Sequence, residues 1–524
     1  MKKSILALAV ILNCSFVIAQ TEFDASKIVQ GDINGTARYM SMAGAFGALG
    51  GEASAIKDNP AGLGIYRTSE MTGTLNISLQ NSNSNWKYLN SGNLKDSYGK
   101  DNLNKNEFSN FSYIKASPTI RSQSNNNGLL SSNWSFSYNR LKSFNRNSTI
   151  KSSLSASSIT DYYGYFTNKI SNSDLTYTQT PSVYEPFNND TIPWMSVLAH
   201  DGGLIKQNAD HTWSSALNNG EKVTPTYTIQ ETGFVDEYSL GWAGNFSNIF
   251  YLGTTLNLQS LNYNARSKYS EVFSDGGGMT LDNNVSTSGA GLNLNVGAII
   301  KPINMLRFGI SVHTPTVYAL SDNNYSTLNY NFSSTNNGKL TTPTGYSDYK
   351  LSSPWKFNAS AAIILGQKGL ISGEYDYNLN TNMKFYDKNG NATSFDSENA
   401  GIKVMLKDVQ TIKIGGEFKL TGNFSLRAGY ATISAGTNNS QANKLMIPNT
   451  TRTDTEYFQN NRTDYLTGGF GFHKASWFLD FAYMNKILDE TFYPYNSNNL
   501  TLAVIPASVK TTNNNFIVTL GFKL

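Results

Sequence analysis

The 524-residue chain has only one cysteine, Cys14, and no run of 18 apolar residues after its N-terminus. A single cysteine cannot form an intramolecular disulfide, so the fold must be stabilised in another way. Without a long apolar run, the sequence offers no candidate for a membrane-spanning helix. The formal net charge is only +4 and the basic residues are dispersed, so we expect no nucleic-acid partner.

Motifs of the common enzyme classes are also missing. The chain has no Gly-x-Ser-x-Gly elbow, no Walker loop, no zinc-type His-Glu-x-x-His and no cysteine cluster. We therefore expect a protein that is not an enzyme and that has no cofactor and no metal site. Two of the four histidines, His200 and His211, flank a possible loop helix and leave a haem or other ligand receptor as an alternative, although no dedicated haem motif occurs.

What the chain does contain is alternation of apolar and polar residues. Hydrophobic residues make up 39% and aromatic residues 12%, yet the mean hydropathy is −0.36. A period of two places one set of side chains on each face of a strand. Fourteen segments show it: 75–79, 111–113, 134–138, 238–242, 252–258, 292–300, 306–312, 355–365, 371–379, 412–420, 424–430, 466–472, 477–483 and 516–524.

The connections between these segments are by turns short and long. The short ones are residues 247–249, 301–304, 366–369, 421–423 and 473–476, and the long ones, of about 25 to 95 residues, are rich in Asn, Ser, Thr and Gly. Short periplasmic turns and long extracellular loops are typical of outer-membrane barrels. We therefore predict an all-β protein, a 14-stranded antiparallel transmembrane β-barrel.

The N-terminal region does not alternate. Lys2 and Lys3 precede an apolar stretch with small residues at Val17 and Ala19, so residues 1–19 are predicted to be a signal peptide. We expect it to direct the chain to the periplasm and the bacterial outer membrane. Residues 20–70 are rich in Gly and Ala. These side chains are too small to build an independent core, and the segment is too apolar for a disordered tail. We predict an N-terminal hatch or plug in the lumen, followed by the barrel at 71–524.

The sequence around the end of this region resembles a known family. The motif Asn59-Pro60-Ala61-Gly62-Leu63 stands before the first strand, and blocks at 306–320, 353–379 and 412–431 follow in order. Together they resemble the FadL/TodX family of outer-membrane transporters of long-chain fatty acids and hydrophobic compounds.

The resemblance implies a binding site and a route. A hydrophobic ligand would be captured between extracellular loops and hatch, the hatch would be gated at Asn59, Pro60 and Ala61, and the ligand would leave by diffusion through a lateral opening beside a kinked third strand. It also implies a monomer whose other partners are outer-membrane lipids. The third segment itself, residues 133–140, has neither Gly nor Pro, so its residues do not predict a kink.

Candidate ligand-binding residues lie in the longest loop and in the hatch. Two stretches of the loop, 154–170 and 192–205, have apolar residues at partly helical spacing. The candidates are Tyr162, Phe166, Trp194, Met195, Val197 and Leu198 in the loop, and Arg38, Met40, Met42 and Phe46 in the hatch.

Each of these interpretations has a purely structural alternative. The loop residues could simply pack together, Arg38 could form a salt bridge to the barrel wall, and Asn59-Pro60 could be a corner before the first strand. A general polar diffusion porin is the competing function, and the predicted hatch is the feature that a porin does not need.

Overall fold

The computed structural model describes residues 20–119, 127–176, 185–218, 220–332, 336–438, 451–497, 500 and 503–524, so the predicted signal peptide lies outside the described residues. Its main element is one antiparallel sheet that closes on itself. The wall strands are β1 (Glu70–Asn85), β2 (Tyr98–Lys115), β3 (Leu129–Ser143, then Arg146–Lys151), β4 (Val223–Phe246), β5 (Phe250–Phe273), β6 (Gly278–Ile303), β7 (Leu306–His313, then Val317–Asn331), β8 (Gly345–Ser352, then Lys356–Leu365), β9 (Gly369–Asn378, then Lys384–Asp387), β10 (Val409–Lys419), β11 (Phe424–Ile433), β12 (Tyr457–His473), β13 (Trp477–Tyr493) and β14 (Ala507–Lys523).

The remaining elements lie before the wall or in its connections. Short strands at Tyr88–Asn90 and Asn93–Lys95, and at Ile205–Gln207 and Trp213–Ser215, form separate hairpins, and Asn337–Thr341 pairs with the end of β7. The α-helices are α1 (Glu22–Val29), α2 (Ala37–Ser41), α3 (Ile159–Thr167), α4 (Asn172–Leu175), α5 (Trp194–Asp201) and α6 (Asp396–Met405), and 3-10 turns occur at Ala53–Lys57, Pro60–Ile65, Pro186–Asn188, Asn380–Asn382 and Thr393–Phe395. Among the described residues, no helix is long and apolar enough to cross a membrane.

The barrel closes between its first and last strands. β1 pairs with β14 without interruption, from Glu70 opposite Lys523 to Asn85 opposite Ser508. Closure satisfies backbone groups that would otherwise cost several kcal/mol each in hydrocarbon. The prediction of a fourteen-stranded antiparallel barrel is confirmed.

The outer face of the wall is apolar in a continuous band. Leu75, Leu240 and Ile310 are 61%, 62% and 63% exposed, whereas polar lumenal residues such as Asn76 and Asn257 are buried. Side chains of this kind on the outside of a closed barrel are suited to the acyl chains of a bilayer.

Several strands extend far beyond this band. β5 and β6 pair along their length, and only residues 274–277 connect them. The prediction of a long loop between residues 258 and 292 is therefore wrong. In this part of β5 the outward-facing residues are polar, as at Asn262, Arg266 and Lys268, so the apolar alternation stops although the strand pairing continues.

A loop cap, formed by residues 152–176, 185–218 and 220–222, closes over the outer end of the barrel. Its helices α3 and α5 lie within the two stretches for which helical spacing was noted. They share one buried apolar cluster with residues that extend from the wall, including Trp86, Tyr227 and Phe492. The apolar residues of the cap therefore pack against the rim as well as against one another.

The N-terminal segment, residues 20–66, lies inside the barrel and contacts the wall on many sides. Its backbone and side chains form hydrogen bonds or ion pairs with inward-facing residues of at least eleven strands. The wall partners include Asn133 of β3, Glu231 of β4, Tyr263 of β5, Asn295 of β6, Ser311 of β7, Lys356 of β8, Glu374 of β9, Glu417 of β10, Thr467 of β12, Lys486 of β13 and Thr519 of β14.

The third strand is kinked inward. β2 and β3 pair only from Asn110 opposite Asn139 to Lys115 opposite Trp134. A bulge at Leu141 follows, where Arg140 faces Asp236 and Lys142 faces Val235. Bulges bend a strand and can end its pairing.

Beyond the bulge, the continuation of β3 pairs with β4 alone and crosses the inner side of β1. The lumenal side chains of Gln80 and Ser84 donate to the carbonyl groups of Asn145 and Thr149, at 3.1 and 2.7 Å. The outer part of β2 is thus left without a strand partner on one side. The pairing between β2 and β3 ends near Phe108 and Tyr138, whose rings stack with their centres 5.8 Å apart.

Candidate functional site

Two cavities lie between the N-terminal segment and the wall. The outer cavity has a volume of about 200 Å³ and is lined by α1 together with β3, β4, β5, β12 and β13. The inner cavity, of about 220 Å³, lies nearer the periplasm and is lined by the 3-10 turn at Ala53–Lys57 and by β6 to β10. Small-molecule sites usually measure ~300–1,000 Å³, so each cavity alone is small for a ligand.

A partition formed by residues 26–32 separates the two cavities. Ser26, Gln30 and Asp32 line both of them. The N–H group of Asp32 donates to the carbonyl oxygen of Leu141, at the bulge of β3, over 2.9 Å. The Asp32 carboxylate accepts from Lys486 and, at 3.3 Å, from the hydroxyl of Tyr465. The partition is thus anchored both to the kinked strand and to β12 and β13.

The outer cavity combines aromatic rings with ion pairs. Charged residues of α1 and of the loop after β11 are neutralised by partners within the cavity, such as Lys27 by Glu231 at 2.9 Å and Arg452 by Asp24 at 2.7 Å. The aromatic side chains of its lining are Phe23, Phe144, Tyr227, Tyr263, Tyr457 and Phe458. An amphipathic molecule would find both kinds of surface there.

Lys142 differs from the other cations of this cavity. Within the described ranges, no carboxylate oxygen lies within 4.0 Å of its amine, which donates to the carbonyl oxygen of Lys27 at 2.6 Å and lies 5.1 Å from the centre of the Phe144 ring. Lys142 also lines both cavities. It therefore offers a positive charge where an anionic group could be bound next to an aromatic ring.

The inner cavity contains a buried charge network that joins the N-terminal segment to the wall. Lys413 lies 2.7 Å from Glu374 and 2.9 Å from Asp376, and Lys356 lies within 3.8 Å of Asp58 and Asp376. Asp58 also accepts from the hydroxyl of Tyr39 at 2.5 Å. Removing one member of such a network leaves a buried charge unpaired, which costs several kcal/mol.

Burial shifts the pKa of two ionisable groups in the N-terminal segment. Loss of water around the Lys57 amine lowers its pKa to about 8. Loss of water around the Glu22 carboxyl raises its pKa to about 7. Both shifts favour the neutral form, as expected for groups enclosed by a barrel.

The N-terminal segment also docks on glycines of the wall. A Cβ atom built on Gly309 would lie 2.5 Å from the carbonyl oxygen of Gly47, and one on Gly415 would lie 2.5 Å from that of Met42. One on Gly429 would lie 2.5 Å from the carbonyl carbon of Met42. Only glycine permits so close an approach of two backbones.

The predicted hatch residues are all held in contacts. Arg38 donates to Glu417 of β10 at 2.9 Å, so it forms the salt bridge to the wall that was the alternative to ligand binding. Met42 and Phe46 are buried in a cluster with wall alanines. Met40 lines a third cavity of about 50 Å³, which reaches the gap beside Glu107 and Ser143.

The proposed gating motif is a docking point as well. Asn59 caps the following turn, and its amide donates to the carbonyl oxygen of Gly47 at 2.8 Å and to that of Ala298, on β6, at 3.3 Å. Ala61 is completely buried beside Tyr251. These contacts hold the segment against the wall, and a gating role stays a prediction.

The predicted loop residues lie apart from both cavities. Phe166 packs against the buried cluster of the cap, and Tyr162, Met195, Val197 and Leu198 belong to it. The indole N–H of Trp194 donates to the carbonyl oxygen of Phe187 at 3.0 Å. None of the six residues lines the outer or the inner cavity. A ligand role for them stays a prediction that requires the cap to move.

The histidines have varied surroundings. His313 is turned into the lumen, where its ring Nε2 donates to the carbonyl oxygen of Asp58 at 2.8 Å. His200 contacts Asp201 at 2.7 Å and Asn172 at 3.0 Å, and His211 is exposed. The two histidines considered for haem thus lie on the loop cap, and they do not line the cavities.

Sequence reasoning did not identify Lys142, Asp32, Asp58 or the docking glycines. Lys142 and the docking glycines occupy wall-strand positions that alternate with the apolar outward residues, and this alternation indicates that they face the lumen. Which of the many polar lumenal residues meet a cavity depends on how residues 20–66 thread the barrel.

Comparison with known proteins agrees with this architecture. No protein-family model matches the sequence, and no curated protein matches it. Among solved structures, a FadL homologue of Pseudomonas aeruginosa is 11% identical over 94% of this chain and 99% of that chain, with a TM-score of 0.53. This chain has the FadL barrel fold.

Two toluene transporters also align with the chain over nearly their whole length. TodX of P. putida and TbuX of Ralstonia pickettii are each 10% identical, over 94% of this chain and 99% of theirs, with TM-scores of 0.49 and 0.48. The alignment with the FadL homologue confirms the expected likeness to FadL/TodX proteins at the level of the fold. An identity of 11% shows the fold and not the ligand.

Proposed function

We propose that this protein is an outer-membrane channel of the FadL/TodX family that takes up hydrophobic molecules with an anionic head, such as long-chain fatty acids, by diffusion. The observation that carries the proposal is the outer cavity, in which an amine without a carboxylate partner stands beside aromatic rings. A carboxylate would bind Lys142, and the adjoining chain would contact rings such as Phe144 and Tyr263. Burial of apolar surface contributes roughly 25 cal/mol per Å², so uptake needs no energy source.

The partition at residues 26–32 supports a route through the molecule. A ligand that competes for Lys142 also competes with the carbonyl oxygen of Lys27, which lies in the last turn of α1. Displacement of this turn would join the two cavities, and the joined space would match a small-molecule site better than either alone.

The gap between β2 and β3 supports a lateral exit. It adjoins the third cavity, and among the described residues it is bridged by side chains. The hydroxyl of Ser143 donates to Glu107 at 2.5 Å, and the amide of Asn145 donates to the same carboxylate at 2.9 Å. Backbone ladders resist opening more strongly than such side-chain contacts. We propose that the hydrophobic molecule leaves here, next to the kinked third strand, and enters the membrane.

Replacing Lys142 by Gln tests the role of its charge. Loss of a charge-assisted hydrogen bond of about 1.5 kcal/mol should weaken oleate binding about tenfold. Binding of oleyl alcohol, which has the same chain without the charge, should change less than about twofold. Fluorescence competition with both ligands measures the difference, and exposed Lys339→Gln is the control. An equal effect on acid and alcohol would remove Lys142 as the head-group partner.

Replacing Trp194 and Leu198 by Ser tests whether the cap takes part in capture. Because both side chains are buried in the cap, the double variant should loosen it and weaken binding of a fluorescent fatty acid several-fold, while the barrel stays folded. Heat-modifiable electrophoretic mobility reports the barrel and titration reports affinity. Unchanged affinity would exclude this part of the cap from the site.

A further inference from the structure

A group of three cations at the periplasmic end of the barrel is not used by the proposed uptake route. Arg67 lies just after the N-terminal segment and donates to the side chain of Asn248, in the turn between β4 and β5. Lys301, near the end of β6, donates its backbone N–H to Ile249 of the same turn at 2.7 Å. Arg307, at the start of β7, donates to the carbonyl oxygen of Leu49 at 2.5 Å.

Two of these charges act on the third, Lys301, which has no carboxylate partner among the described residues. Arg67 and Arg307 are both close enough to interact electrostatically with Lys301. In the part of the chain that the structure describes, no carboxylate oxygen lies within 4.0 Å of any of the three, and the Nε atom of Arg307 is buried without a hydrogen-bond partner. Like charges so close together repel unless an anion lies between them. Elsewhere near this end, Arg38 and Arg427 are paired with Glu417.

Exposed apolar side chains lie beside the cations, in the turn between β4 and β5 and in the turn between β6 and β7. Ile249 and Ile303 are each 52% exposed, and Met305 is 48% exposed. Phe250 and Ile300, directly opposite each other on β5 and β6, are also exposed on the outer face. The cations thus lie at the periplasmic border of the apolar outer band of the barrel. Lipid head groups of the inner leaflet lie at this level.

We propose that Arg67 and Lys301 bind the phosphate of a phospholipid head group of the inner leaflet, with the acyl chains along Phe250 and Ile300, while Arg307 adds positive charge from the lumenal side. The phosphodiester of a phospholipid has two non-bridging oxygens, which can accept bidentate hydrogen bonds from arginine. The bound lipid would neutralise the cluster at the place where Arg67 links the N-terminal segment to the wall.

The test is lipid binding to the full-length protein in detergent, measured by native mass spectrometry with phosphatidylglycerol. The double variant Arg67→Gln/Lys301→Gln should bind the first lipid about tenfold more weakly, because two charged donors are removed. The double variant Lys368→Gln/Lys419→Gln removes two lysines from other periplasmic turns that also carry exposed apolar residues, and it should bind like the unmodified protein. The charge-preserving variant Arg67→Lys/Lys301→Arg should keep most of the affinity.

Three results would overturn the proposal. One is equal loss in both Gln variants, which would indicate general attraction to a basic rim. Another is no loss in Arg67→Gln/Lys301→Gln, with the barrel shown to be folded by its electrophoretic mobility. The third is displacement of the lipid by inorganic phosphate at equal affinity, which would identify a site for the free anion.

Discussion

Deleting residues 21–64 is expected to turn a barrel with almost no ion conductance into a permanently open pore. The deleted segment contacts the lumenal side of at least eleven wall strands, and without it the polar residues of the wall would face water. The wall should still close, because its ladders, including β1 with β14, do not involve the segment. We expect single-channel conductance in planar bilayers to rise at least about tenfold, as for an unplugged barrel.

The matched control for this deletion removes a piece of the chain outside the wall. The hairpin of Tyr88–Asn90 and Asn93–Lys95 forms its own two-stranded sheet, so its replacement by a short Gly-Ser turn should leave the conductance unchanged. A general polar porin would conduct before the deletion and change little after it. Equal conductance of the full-length and the deleted protein would thus favour the porin and contradict the role of residues 20–66 as a hatch.

Replacing a docking glycine by valine should displace the hatch without removing it. In Gly309→Val and Gly429→Val, the new side chain would meet the backbone of Gly47 or Met42, which cannot move unless the segment moves. Overpacking of this kind costs about 1–3 kcal/mol, and valine is otherwise favoured in strands. We therefore expect frequent channel openings and increased entry of large antibiotics into cells.

Two other wall glycines provide controls in the same kind of backbone. A Cβ atom at Gly73 of β1 or Gly373 of β9 would meet nothing within 4 Å. Gly73→Val and Gly373→Val should therefore keep the closed state and the antibiotic resistance of the unmodified protein. If all four variants leaked alike, the cause would be a weakened wall, and the docking role of Gly309 and Gly429 would be refuted.

The sequence predicts the wall well where one face of a strand meets lipid. Each of the fourteen alternating segments lies on a wall strand, and turns such as 247–249 and 366–369 are found near the expected positions, because lipid requires apolar residues at every second site. The same reasoning fails above the bilayer. The outer half of β5 has polar residues on its exterior, such as Asn262 and Lys268, so the sequence there does not show the apolar alternation that would predict a strand.

The kink and the site depend on contacts between distant residues. Nothing within 133–140 marks the bulge at Leu141, whose carbonyl oxygen accepts from Asp32, more than a hundred residues earlier. Lys27, Lys142 and Arg452 meet in one cavity only because the N-terminal segment passes through the barrel. Local patterns predicted the apolar helices of the cap and the salt bridge of Arg38 as one of two possibilities, but they could not show which polar residues would line a cavity.

The proposed uptake requires that hydrophobic molecules pass through this protein while water-soluble solutes of similar size do not. Proteoliposomes with the full-length protein in one orientation test it most directly, with entrapped fatty-acid-binding protein as the sensor for oleate and a swelling assay for a disaccharide. We predict that the protein accelerates oleate entry, that Lys142→Gln slows this acceleration, and that the disaccharide stays outside. Rapid disaccharide entry with no effect on oleate would contradict the account.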